Sequence, residues 1–146
     1  MSSILPLGRS MNFSRSASGG NVRFNLRDCS GIGFLVDLPT TTATTITEQN
    51  AASGGTSQAL ANGAAGSITF VYAQTAGVWT AQPTWAVNNV VTAVGTVDLV
   101  YIWVPQGALS DGFSYLSANN ASKPVLAVMG DLDVQRRPSN LRDVRA

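Results

Sequence analysis

The chain has no histidine, a single cysteine and a single lysine, and only 12% of its 146 residues are charged. Without histidine there is no side chain whose ordinary pKa makes it a base near neutral pH, and the commonest transition-metal ligand is missing. Ser-His-Asp, Cys-His and His-Glu-x-x-His sites are thereby excluded. Cys29 alone rules out an intrachain disulfide, and in the predicted turn Asp28-Cys29-Ser30-Gly31 it reads as a small buried filler. Lys123 directly follows Ser122 and so lacks the Ser-x-x-Lys spacing. No phosphate-cradling glycine loop occurs, because Gly31-x-Gly33 lies within a β segment with no helix after it. No apolar helix is long enough to cross a bilayer. The opening MSSILPLGRSMNF lacks the basic start and continuous apolar core of a signal peptide.

Asp98 and Asp111 are the candidates for a hydrolytic carboxylate pair. Asp98 falls at a strand end and Asp111 in a turn, where aspartate is common for structural reasons. Asp131-x-Asp133 lacks the further oxygen ligands of a calcium loop. The expectation is a protein that is not an enzyme and needs no cofactor and no metal.

The remaining charge is unevenly placed. Arg9, Arg15, Arg23 and Arg27 lie near the start, and Lys123, Arg136, Arg137, Arg142 and Arg145 near the end. Residues 29–122 carry only Asp37, Glu48, Asp98 and Asp111. A mildly acidic body with two basic ends does not present the basic stripe with interleaved aromatics that nucleic acid requires. No nucleic-acid partner and no membrane partner are expected.

What the chain does have is β pattern. Val97–Val104 is its most hydrophobic run, β-branched and aromatic, and reads as a strand buried on both faces. It is followed by apolar runs at 113–116 and 125–129, separated by short polar turns, which predicts the centre of an antiparallel sheet. Val22, Phe24 and Leu26 alternate with Arg23 and Arg27, so the apolar three face inward. Strands are expected at 32–38, 44–49, 67–73 (Ile68, Phe70 and Tyr72 on one face) and 78–81, with a hairpin folded at Asn88-Asn89. About eight to ten short strands at this spacing indicate a sandwich or barrel. The fold class expected is all-β, an antiparallel β-sandwich (jelly-roll-like) over residues 21–130, with extended N- and C-terminal arms at 1–20 and 131–146. Trp79, Trp85 and Trp103 could form a sugar-stacking platform, although tryptophan is far more often core.

The order of features, a threonine-rich strand leading into TITEQNAASGGTSQAL, a Trp-bearing segment, then LVYIWVPQGALSDGFSYLSANNA and a last strand ending Gly-Asp-Leu-Asp, is similar to small β-sandwich head proteins of tailed bacteriophages. Leu109, Ser110, Asp111, Gly112, Phe113 and Tyr115 occupy that group's turn-and-strand pattern, while Val104-Pro105-Gln106 departs from its more acidic entry. The resemblance spans roughly residues 22–133 and implies a capsid decoration (cement) protein on the outer surface of the virion, often a homotrimer. Its partners would be the major capsid protein and copies of itself. On that reading Arg9, Arg15, Arg136, Arg137, Arg142 and Arg145 pair with carboxylates of the shell or of sister subunits, and Phe13 and Leu141 fill pockets there. A glycan- or receptor-binding virion domain, and a minor tail or neck component, are the alternatives.

Overall fold

A computed structural model describes residues 11–37, 42–133 and 143–146. The chain is all-β: two antiparallel sheets pack as a sandwich, and the described residues hold no α-helix. The strands are β1 (Met11–Ser16), β2 (Phe24–Asn25), β3 (Cys29–Asp37), β4 (Thr44–Gln49), β5 (Ser57–Ala59), β6 (Phe70–Thr75), β7 (Val78–Ala81), β8 (Ala86–Val87), β9 (Val90–Val91), β10 (Leu99–Pro105), β11 (Tyr115–Asn120) and β12 (Val125–Leu132). Sheet A runs in the order β1-β12-β3-β10-β6-β7. Sheet B runs β2-β11-β4-β9-β8, with β5 also paired to β4.

The winding is that of one long hairpin rolled up. The run β1 to β4 pairs antiparallel with the run β12 back to β9, alternate strands falling in opposite sheets. That is jelly-roll topology, with β5 to β8 inserted at the hairpin tip. Each crossing between sheets has a local cause. Asn120, at the end of β11, is buried and accepts from the N–H groups of Ser122 and Lys123 at 3.0 Å each, turning the chain into β12 of the other sheet. Asn25 Oδ1 accepts from Arg27 N–H at 2.9 Å, and Asp28 takes a positive φ of 67°, turning β2 into β3.

Inward-facing residues of both sheets meet in one core. Ile32, Phe34 and Val36 of β3, Val100, Ile102 and Val104 of β10 and Val125, Ala127 and Met129 of β12 face Phe24, Ile46, Leu116 and Ala118 of sheet B. The Phe24 and Phe34 rings join the layers at 6.3 Å between centroids. Glu48 shares the inner side of β4, with Ser110 N–H donating to Oε2 (2.9 Å) and Gln58 Nε2 to Oε1 (2.6 Å).

Several expectations need correcting. The three apolar runs of residues 97–129 are not neighbours: β10 and β12 flank β3 in sheet A, and β11 lies in sheet B. The connections after Pro105 and Asn120 each carry the chain across the sandwich instead of folding it back beside itself. Nor is β10 buried on both faces; burial alternates along it, with Val100, Ile102 and Val104 inside and Leu99, Tyr101, Trp103 and Pro105 partly open. Ile68 does not share a face with Phe70 and Tyr72. It precedes β6 and is buried, whereas the two aromatics are exposed. Cys29, expected in a turn, opens β3 and is buried. Residues 11–16 of the expected first arm are the edge strand β1, in register from Met11↔Gly130 to Ser16↔Val125. At the other end Val144 sits in the core and its carbonyl accepts from Asn25 N–H at 2.7 Å.

Candidate functional site

The surface that stands out is the outer face of sheet A. Strand register lays its side chains out in rows. One row reads Arg15, Leu126, Leu35, Tyr101, Tyr72 and Ala81 across all six strands. The next reads Phe13, Val128, Gly33, Trp103 and Phe70. Beyond the first row on the other side lie Asp37, Leu99, Gln74 and Trp79. Of all these outward positions only Arg15 and Asp37 carry charge. Phe13, Phe70 and Trp79 remain 41%, 45% and 44% exposed.

Glycine makes this face what it is. Trp103 lies over Gly31 and Gly130, and the Tyr101 ring lies over Gly33, so the two aromatics are laid down on β3 and β12. Tyr101 in turn meets Trp79 edge-on, 6.4 Å between centroids and 74° between planes. Leu35, Tyr72, Trp79 and Tyr101 line an open cleft of about 380 Å³ that is mainly aromatic and aliphatic. Burial in these surroundings raises the pKa of Tyr101 above the ordinary phenol value. The cleft can therefore take an apolar group. A sugar platform also needs several polar groups that fix the hydroxyls, and the lining carries only the phenols of Tyr72 and Tyr101.

The outer face of sheet B is of the opposite kind. Thr47, Gln49 and Ser117 are joined there by hydrogen bonds of Gln49 Nε2 to Ser117 Oγ (2.7 Å) and Thr47 Oγ1 (2.9 Å). Arg23 clamps the following loop, donating from Nη1 to the carbonyls of Ala51 (2.8 Å) and Gly54 (2.7 Å). Gln49 Oε1 is buried and has no partner among the described residues.

The site residues expected from the sequence divide three ways. Phe13 and Arg15 stand side by side on β1 and face outward, at the border of the apolar face. Arg145 is engaged within its own chain, donating from Nη2 to the Arg15 carbonyl (3.0 Å) and to Ser14 Oγ (3.3 Å). Arg9, Arg136, Arg137, Leu141 and Arg142 lie outside the described residues. Of the two candidate carboxylates, Asp98 Oδ2 accepts from Ala76 N–H (2.9 Å) and so shapes the β6–β7 turn, while Asp111 sits in an exposed turn. Trp85 packs partly against the core.

Sequence reasoning missed Leu35, Phe70, Tyr72, Tyr101 and Leu126 as a surface, and offered Trp103 only in a sugar-stacking platform with Trp79 and Trp85. For Tyr101 and Trp103 the signal was present in Val97–Val104, apolar except at Asp98, but a run apolar on both faces reads as doubly buried when only one sheet is in view.

No family model, curated protein or solved structure matches this chain. The outer face of sheet A is thus assigned on its own geometry.

Proposed function

We propose that this chain is a structural protein of a virus particle, a capsid decoration protein that binds the outer surface of the shell and neighbouring copies of itself, and that it works through surfaces and not through chemistry. One observation carries the reading: a six-stranded face that is nearly free of charge and rich in exposed aromatic and aliphatic side chains. Isolated monomers rarely leave a contiguous apolar patch of more than a few hundred Å² open to water, and such patches mark interaction sites. The jelly-roll winding is compatible with this role without establishing it, since the same architecture serves capsids and lectins alike. Phe13 and Arg15, at the edge of that face, are the part of the expected partner-binding set that the reading retains on geometric grounds. The scarcity of polar groups beside Trp79, two tyrosine phenols apart, weighs against the glycan-binding alternative.

The test is the copy number of this chain in intact particles, measured by quantitative mass spectrometry against the major capsid protein. Decoration requires copies in a fixed lattice ratio to the capsid protein. A handful of copies per particle would move the chain to the tail or neck, and its absence from particles would end the proposal.

A further inference from the structure

We infer that the outer face of sheet A is a twofold interface between two copies of this chain. The inference shares with the proposed function only the premise that this face is an interface, and it names the occupant.

Extent is the first ground. With strands about 4.8 Å apart and residues rising about 3.3 Å each, six strands and the seven residues of β10 span roughly 600 Å². Two such faces in full contact would together bury about 1,200 Å², the lower bound for a stable specific interface.

Charge is the second. Among its described outward positions the face carries one cation, Arg15 on β1, and one anion, Asp37 on β3. In an isologous contact residue i meets j and j meets i. A face with one charge of each sign is therefore its own complement: two Arg15–Asp37 pairs form and no like charges meet. A foreign partner would have to match that pattern separately, whereas a second copy does so by symmetry.

Shape is the third, and it follows from the same operation. On a flat lattice with those spacings, the in-plane axis that lays Arg15 over the partner's Asp37 also lays Phe13 over the partner's cleft between Leu35, Tyr72, Trp79 and Tyr101. Phe13 is a protruding ring, and the cleft of about 380 Å³ exceeds the ~150 Å³ cavity known to admit benzene. Two such insertions, one from each copy, flank the axis. The product is a dimer in place of the homotrimer that the resemblance to head proteins implies.

Analytical ultracentrifugation of the full chain tests this. A species of about 30 kDa, twice 15.2 kDa, is expected at micromolar concentration. Phe13→Asp and Arg15→Asp should each weaken the dimer about tenfold or more, with thermal melts unchanged at dilutions where the wild type is itself monomeric. The reversal Arg15→Asp with Asp37→Arg should restore it. A wild-type monomer persisting to about 100 µM, a trimer of about 46 kDa, or a dimer indifferent to these substitutions would each overturn the inference. Cosedimentation with shells separates the two readings. A monomer that still binds shells ends the twofold face and leaves decoration standing, and a dimer without shell affinity does the reverse.

Discussion

The Trp103 indole occupies the space that a side chain on Gly31 would need: a Cβ at 31 would stand 2.5 Å from Trp103 Cζ2 and 2.7 Å from the Val104 carbonyl oxygen. The central strand of sheet A is thus recessed on its outer side so that its neighbour's aromatics can lie flat. Position 33 differs in kind, because there the obstacle is the Tyr101 ring alone. Gly31→Ala is expected to destabilise by about 1–3 kcal/mol, since backbone must shift, and Gly33→Ala by about 1 kcal/mol or less, since a ring can swing outward. Urea unfolding of the two variants gives the comparison, and equal losses would contradict it.

Glu48 is 0% exposed, yet it is a carboxylate at neutral pH. Burial pushes its pKa upward, but hydrogen bonds from Ser110, Gln58 and Ala61 together outweigh burial and hold it below the ordinary value. A folded-state pKa below the unfolded value of about 4.3 stabilises the fold above that pH. The contribution is lost as pH falls through the lowered folded value. Glu48→Gln should cost about 1–3 kcal/mol at pH 7, and the stabilities of variant and wild type should draw together as pH falls below the unfolded carboxylate value of about 4.3. Curves that stay parallel down to pH 3 would show that the carboxylate contributes nothing as an ion.

Arg23 ties the loop after β4 to the run before β2 through two carbonyls 28 and 31 residues away. Arg23→Met keeps the aliphatic stem and removes both bonds. The expected loss is about 1 kcal/mol, because the carbonyls regain water. Hydrogen exchange should quicken at 50–56, where Asn50 and Thr56 close the loop on each other. Unchanged exchange in that segment would mean the loop holds without its clamp.

Asn89 repairs a gap in sheet B. β4 pairs with β9 at Thr44 and Thr45 and with β5 from Thr47 onward, leaving Ile46 between two partners. Asn89 fills the place, its carbonyl accepting from Ile46 N–H and its Nδ2 donating to the Ile46 carbonyl, both at 2.8 Å. Asn89→Ala should cost about 1–2 kcal/mol. Asn89→Asp should cost at least as much at pH 7, because a carboxylate has no proton to offer that carbonyl. Thermal denaturation ranks the two, and a silent Asn89→Asp would refute the donor role.

Much of the fold was legible from residue pattern. β4 and β7 fall where threonine content and the Ala76-Gly77 turn place them, and the hairpin turns at Asn88-Asn89. Phe24 and Leu26 face inward as alternation requires. These features are local, set by propensity, period and turn residues within a few positions. The extent of β1 was not legible. Its inward positions are the polar Asn12, Ser14 and Ser16, so no period-two apolar signal marks it, and it is a strand because β12 offers it an edge.

The candidate site shows the same division. The chain's poverty in charge, its lack of histidine and the apolar character of Val97–Val104 are fixed by composition, and so is the exclusion of histidine-based chemistry. Which of those apolar side chains meet water could not be read from a line of residues, because burial on a strand's second face depends on whether another layer covers it. The tertiary fold gives sheet A a partner on one side only, sets glycines under Trp103 and Tyr101, and thereby turns an apparent core strand into the centre of an exposed surface.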